Sequence, residues 1–273
     1  MPTANGIHFA GDERFIRTLD YRLAGTAMHI VYDSGEEELY SFSTGEDLIR
    51  MKKGKTPDWL HYGSLTMRNT LRLIAYEEPD PLGYCCVTLV IDEDNGLVTR
   101  ARTVFGGFPA RPNLAKTDYT FGAVKRDGQE LPWRRHCFTC DLTGKKIAWT
   151  YYNGFVNAHI YLDHFCRAQA LRRPDGDDSP LIDDPIYEEP AVYVKIREGV
   201  YLMGVTEDNI NRRNPAAGGS NLLLLMDIEN LTDIGRNFLR VAPGKRVWGF
   251  IHAEGRIYTE TLETETADSP NTI

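Results

Sequence analysis

Six side chains in the second half of the 273-residue chain have the types and spacing of a proton-transfer site. Trp149 and Tyr151 stand two apart, Asn157, His159 and Tyr161 follow at the same spacing, and Glu207 ends an apolar stretch that begins at Val200. Residues two apart share one face of a β-strand, so each set lines a single wall. A carboxyl against such a wall has its charged form disfavoured, which raises its pKa and makes Glu207 a usable general acid or base. Tyr151 and His159 would orient substrate oxygens, Trp149 would stack on the substrate, and Tyr161 and Asn157 would complete its binding. This chemistry needs neither metal nor nucleotide, and no cofactor is expected.

Whether the two sets face the same way depends on the turn between them. A three-residue loop over 152–154 turns Asn157, His159 and Tyr161 to the side of Trp149 and Tyr151, whereas a two-residue turn would place Val156, Ala158 and Ile160 there. The chain supplies a comparison, because it repeats itself: Leu23, Gly25, Tyr32 and Gly35 recur 119 positions later as Leu142, Gly144, Tyr151 and Gly154. In the first copy the three-residue choice turns Tyr40 and Phe42 inward and leaves Leu39 and Ser41 outside, which is the better core, so the same parity is expected in the second. A second repeat lays Met67 to Glu78 over Ile196 to Glu207 at an offset of 129. The ten added residues fall where Arg173 to Pro180 turns acidic and Pro-rich, a loop insertion. The first copy carries Tyr32, Tyr40, Phe42 and Glu78 in the matching places. Those rings read as core and Glu77-Glu78-Pro79-Asp80 reads as a solvated turn, which points to the second unit, or the junction, for chemistry.

The elements that must hold these residues are short, β-branched or aromatic, and bounded by Gly, Asn, Asp or Pro. They cover 26–32, 36–42, 84–92, 97–105, 145–152, 155–162, 191–196, 200–206, 221–228, 246–253 and 256–262. Helical periodicity is weak, the best candidates being Thr44 to Met51 and Asp12 to Asp20, and Gly106 to Cys140 reads as the connection between the units. Sequential hairpins without crossover helices close most economically into up-and-down barrels. The expected fold is therefore all-β, two tandem antiparallel barrels over residues 1–125 and 126–273, with a pair of sandwiches as the alternative. A barrel of about eight strands is just wide enough for one small ligand.

Composition narrows the partners. A net charge of −8 and scattered arginine pairs argue against nucleic acid. No apolar run approaches the roughly 18 residues that span a bilayer, and no basic-then-apolar leader opens the chain, so a cytoplasmic protein without a membrane partner is expected. Five cysteines do not suggest a disulfide framework. Cys137 and Cys140 form a lone CxxC, which zinc would have to complete with two more ligands, and Cys85 and Cys86 point to opposite faces of a strand. Phosphate-loop, dinucleotide, GxSxG and HExxH motifs are all missing. The acidic stretch 175–189 lacks calcium-loop spacing. The expected partner is an apolar, oxygenated small molecule; a homodimer stays open.

The segments Leu142 to Tyr151, His159-Ile160-Tyr161-Leu162-Asp163, Glu198-Gly199-Val200-Tyr201-Leu202 and Thr206-Glu207 resemble the carboxy-terminal domain of the MoaF-like proteins, named for molybdenum cofactor biosynthesis. The first copy is similar to their amino-terminal domain. That resemblance implies two lipocalin-like (calycin) barrels, and an accessory role in making that cofactor is one reading of it. The second half also resembles phenolic acid decarboxylase, a single barrel with two tyrosines flanking a Thr before Asn-Gly and a later strand ending in Trp-Thr-Glu. Its second tyrosine corresponds to Tyr151 and its glutamate to Glu207. Its first tyrosine is replaced by Trp149, and its carboxylate-holding arginine has no counterpart. The resemblance therefore implies proton transfer by Glu207 on an aromatic or conjugated substrate, by a lyase, isomerase or cyclase, rather than hydroxycinnamate decarboxylation. A lipocalin-like carrier and an interaction module with filled barrels are the alternatives.

Overall fold

The turn glycines set the hairpins. Gly35 and Gly154 sit at φ 83° and 79°, a left-handed conformation open to glycine at little cost, and each closes the first hairpin of its unit. In a computed structural model, which describes residues 19–106, 108, 111, 113–174, 186–208, 212, 219–242 and 245–259, these hairpins begin two closed antiparallel barrels.

The first barrel runs in sequence order: β1 (Thr26–Tyr32), β2 (Glu37–Phe42), β3 (Asp47–Lys52), β4 (Asp58–Met67), β5 (Leu71–Asp80), β6 (Gly83–Asp92), β7 (Leu97–Phe105) and β8 (Ala115–Lys125), with β8 pairing back onto β1. After a two-residue strand β9 (Cys137–Phe138) come β10 (Lys146–Tyr151), β11 (Val156–Tyr161), β12 (Phe165–Arg172), β13 (Tyr187–Arg197), β14 (Val200–Thr206), β15 (Gly219–Asp227), β16 (Thr232–Ala242) and β17 (Lys245–Ile257). Pairing of β10 with β17 and of β12 with β13 closes this second barrel, and β9 lies along β13 where β12 has run out. The repeat is carried into the register: Met28 faces Tyr40 across the first hairpin, and Ile147 faces His159 across the second, each displaced by 119.

Several expectations are corrected. Residues 47–52 form β3, not a helix, with Leu48 and Arg50 turned inward. Of the other helical candidate, 12–18 lies outside the described residues and Leu19 only bridges to Leu65. The supposed connection contains β8, whose outward Tyr119 and Phe121 pack against the second barrel while inward Asp118 and Thr120 are polar; that inverted pattern disguised it. Glu77 to Asp80 continue β5, and Glu78 is buried, not solvated. The stretches 246–253 and 256–259 are not two strands, since β17 runs unbroken to Ile257, and 260–262 lie outside the described residues. The expected insertion falls between β12 and β13, where 175–185 lie outside the described residues.

The largest apolar cluster lies between the barrels rather than inside either. Outward faces of β4 to β8, with Leu65, Leu73 and Ala101, meet outward faces of β13 to β17, with Leu202, Leu225 and Phe238. At its edges the repeat produces reciprocal ion pairs. Arg68 binds Asp227 at 2.5 and 2.6 Å and Glu229 at 2.7 Å; Arg197, its counterpart 129 positions on, binds Asp92 and reaches Asp94 at 3.0 Å. Burial works to raise the Asp227 pKa, but its bonds to Arg68 and Asn230 prevail and bring it down to about 2.

Near the centre of this interface Arg236 is wholly buried, with no carboxylate partner among the described residues. Its guanidinium donates to Thr88 Oγ1 at 3.1 Å and Thr103 Oγ1 at 2.6 Å in the first barrel, and to Asn221 Oδ1 at 2.8 Å and the Asn221 carbonyl at 2.9 Å in its own. Replacing Arg236 with Ala strands these acceptors in an apolar seam and should cost about 3 kcal/mol. Urea unfolding checks this; an unchanged midpoint would show that the arginine does not tie the barrels together.

Candidate active site in the second barrel

The β10–β11 turn fixes which way the site residues point. Tyr151 N–H donates to the Phe155 carbonyl at 2.8 Å and Gly154 N–H to the Tyr151 carbonyl at 2.9 Å, so the loop is three residues long, 152–154. Trp149 therefore faces Asn157, and Ile147 faces His159, on one side of the sheet. That side is the lumen: Trp149 and Tyr161 pack there with Met203, Tyr193 and Leu224. The same alternation carries inward through Ala168, Glu189, Ala191, Val205, Asn237 and Asp233, and brings Glu207 level with Glu189.

All six expected residues thus belong to one lumen, at different depths. Trp149 and Tyr161 are completely buried. The indole N–H donates to Tyr161 Oη at 2.8 Å, and that hydroxyl leans on Met226 Sδ at 3.5 Å, so this pair builds the inner wall. His159 lies edge-on to the Tyr161 ring, and its Nε2 meets Asn157 Nδ2 at 3.2 Å. Burial lowers the His159 pKa to about 4, leaving the ring neutral at pH 7. Tyr151 stacks on Phe155, and its hydroxyl bonds no other group among the described residues. Its ionisation is opposed first by burial, then by the nearby Asp233, Cys166 and Glu207. Glu207 is half-buried and bonded by Ser220; burial raises its pKa despite that bond, and Glu189 raises it further. Part-exposed Asn157, Ala168, Ala170, Tyr187 and Asn237 on the same inner face mark where water reaches the lumen.

The first barrel occupies the corresponding space with its own ions. Glu38 accepts from Tyr40 and from Tyr32 at 3.0 Å and pairs with Lys52 at 2.8 Å and Arg100 at 3.2 Å. Glu78 is held by Arg50 and by Arg102 at 2.8 Å. Burial works against its charge, yet the two arginines hold the Glu78 pKa below its ordinary value. Following the register, Arg50, Tyr62, Tyr76, Arg100 and Arg102 are answered in the second barrel by Ala168, Ala191, Val205, Gly235 and Asn237. Trp149 in place of Ile30 returns some of that bulk. The same swap strips the cations from Glu207, which is why the repeated glutamates Glu78 and Glu207 shift in opposite directions.

Polar groups on the second lumen are left unmatched. His159 Nδ1, Asn237 Oδ1 and both carboxyl oxygens of Asp233 are buried without a hydrogen-bond partner among the described residues, whereas the first lumen leaves Ser64 Oγ apart from its ion-paired glutamates. Buried polar groups are nearly always bonded, so exceptions that face one lumen from β11 and β16 mark a space suited to something else that bonds. Asp233 and Glu189 were not singled out from the sequence. The mixed stretch Thr232-Asp233-Ile234-Gly235-Arg236-Asn237 has an apolar partner on neither parity, and only the ladder to β15 and β17 reveals which residues point in.

A hollow of ≈ 400 Å³ lies between the barrels, lined by Arg68, Asp227, Ile234, His252 and Glu254, and its Arg68 and Asp227 already satisfy one another. Among the described residues no cluster of three or more His, Cys, Asp or Glu could hold a metal, and no helix is long and apolar enough to cross a membrane. No family model and no curated protein matches the chain. Among solved structures, a Burkholderia vietnamiensis protein described provisionally as a beta-lactamase aligns at a TM-score of 0.32 and 12% identity, over 43% of this chain and 96% of its own. A likeness of that size carries no argument about activity.

Asp233 gives the site a signature in stability. Burial pushes its carboxyl from 3.8 up to about 8, partly offset by the Ala253 N–H on β17. The folded state therefore holds a proton that the unfolded state releases near pH 4, and stability falls as pH rises from about 4 to about 8. Asp233→Asn should remove that part of the pH dependence, so that its melting temperature exceeds that of the natural protein progressively from pH 4 to pH 8. Parallel melting curves of the two proteins across that range would contradict the buried, neutral acid.

Proposed function

We propose that the second barrel binds an apolar, oxygenated small molecule and moves a proton on it without a cofactor, as a lyase, isomerase or cyclase. The observation that carries this reading is the set of unmatched polar groups, His159, Asn237 and Asp233, that share one lumen with a Glu207 whose pKa burial raises. Glu207 is the proton donor and acceptor: its half-buried carboxyl reaches the lumen, and a raised pKa narrows the gap to neutral pH across which it must exchange protons. Tyr151 and His159 set the substrate's oxygens, Asn157 steadies the imidazole, and the Trp149–Tyr161 pair gives the rigid apolar wall behind it. The barrel contributes orientation and exclusion of water. The resemblance to phenolic acid decarboxylase agrees with Tyr151 and Glu207 sharing this lumen. Without a lumen arginine aligned to its carboxylate clamp, a conjugated ketone or a phenol suits the wall better than a carboxylic acid.

A lipocalin-like carrier would use the same wall, and catalysis of proton exchange separates the two. In D₂O, with a panel of cyclic enones, β,γ-unsaturated ketones and 4-hydroxystyrenes, the protein should catalyse deuterium incorporation at the acidic carbon, read by NMR. Glu207→Gln should slow it by roughly 10²–10⁴-fold while retaining ligand binding read by indole fluorescence. Binding without exchange across the panel would leave a carrier, and unchanged exchange in the variant would remove Glu207 from the chemistry.

A further inference from the structure

We propose that Asp233 and Tyr151 are a pair of hydrogen-bond donors for a ligand oxygen that becomes anionic during the reaction, and that the substrate is accordingly a ketone or enone whose carbonyl oxygen lies between them. This rests on the proton-transfer reading of the same lumen and assigns the electrophilic half of it.

The geometry is that of two unspent polar groups on one row of the wall. Tyr151 pairs with Ala253, and Ala253 pairs with Asp233, so the two residues stand on alternate strands of a single register line, both turned inward. Adjacent strands are about 4.8 Å apart, which separates the two backbones by roughly 10 Å, a gap that an inward tyrosyl side chain crosses in large part. Asp233 is 1% exposed, no arginine or lysine among the described residues pairs with it, and neither of its oxygens completes a hydrogen bond there, although the Ala253 N–H of β17 lies near enough to favour its charged form slightly. The Tyr151 hydroxyl bonds none of the described residues, unlike that of Tyr161, which is held between Trp149 and Met226. Beyond them, His159 has one nitrogen engaged with Asn157 and its Nδ1 unengaged.

A buried acid without partners is costly, and an apolar residue of the same size would stabilise the fold. Its use lies in being neutral. A carboxylate only accepts hydrogen bonds, whereas a carboxylic acid donates one. Since burial pushes the Asp233 carboxyl up to about 8, it retains its proton at pH 7, and burial holds Tyr151 protonated as well. Two donors aimed at one place and shielded from bulk water by a bound ligand favour negative charge developing there. The ketosteroid isomerase site joins a tyrosine to a protonated aspartic acid in this way.

The step balances within the substrate. The Glu207 carboxylate takes a proton from the carbon next to the carbonyl; that C–H bond breaks, and its electron pair passes through the C–C bond to place charge on the oxygen. Asp233 and Tyr151 donate hydrogen bonds to this enolate oxygen and keep their protons. Glu207 then returns its proton to the far carbon of the conjugated system, the C=O bond re-forms, and the product is an isomer of the starting enone.

Phenolates imitate such an enolate, and 4-nitrophenol reports its own ionisation because its anion absorbs in the visible. Titrated into the intact protein near pH 6, it should bind with the anion's band enhanced over free probe. Asp233→Val and Tyr151→Phe should each weaken anion binding about tenfold or more. Glu207→Gln, which removes a negative charge from the same lumen, should strengthen it, and Tyr40→Phe in the first barrel should leave it unchanged. Asp233→Val should also melt at least about 2–4 °C higher, which separates loss of a donor from loss of fold. Anion binding that ignores Asp233 and Tyr151, or no anion binding at all, would overturn the pair. A probe bound as its anion through these residues, with no deuterium exchange on any ketone, would instead uphold the pair and count against the proton-transfer role of Glu207.

Discussion

A polar group shut inside a β-barrel can be bonded only by other inward-pointing groups, because the backbone of the wall is committed to its ladder. The two units of this chain meet that constraint in opposite ways. In the first, inward arginines and a lysine meet inward carboxylates, and tyrosines close the remaining bonds, so the interior completes itself. In the second, the registered positions carry Ala, Gly, Val and Asn, the cations are gone, and a histidine nitrogen, an amide oxygen and a carboxyl are left unmet among the described residues. Nothing in strand geometry requires the difference, since both units share turns and register. It lies wholly in which side chains the repeat has kept.

The cost of an unmet interior must be offset elsewhere, and the offset lies between the barrels. Their outward faces form the largest apolar cluster, fastened at its edges by Arg68 and Arg197 reaching across to the opposite unit's aspartates. Stability supplied on the outside of both cylinders adds to the apolar cluster that the second lumen keeps around Trp149, Met203 and Leu224.

Much of this was legible in the residues. The hairpin glycines, the period-two spacing and the 119-residue repeat were enough for an all-β pair of barrels, and the parity of the first copy fixed the direction of Asn157, His159 and Tyr161 in the second. Among the strands that escaped were some whose pattern is inverted or mixed. β8 turns Tyr119 and Phe121 outward because the other barrel, not the lumen, is their apolar partner. β3 carries Arg50 into a barrel, and β16 carries Asp233; both contradict the rule that inward residues are apolar, and both are positions where the interior is polar by design. Glu78 read as a solvated turn for the same reason: the cations that bury it, Arg50 and Arg102, come from strands far away in sequence. Site residues were therefore visible where their neighbours were aromatic, and invisible where only closure of the sheet turned them inward.

The central claim is that the second lumen is a wet or ligand-filled space whose polar wall is completed from outside the protein. A crystal structure at high resolution tests it most directly, through the electron density inside each cylinder. The account predicts ordered density within hydrogen-bonding distance of Asp233, Asn237 Oδ1 and His159 Nδ1 in the second barrel, and none among the Glu38–Arg50–Glu78 side chains of the first. A second lumen that is dry and filled by its own side chains, with Asp233 bonded to a protein group, would contradict it.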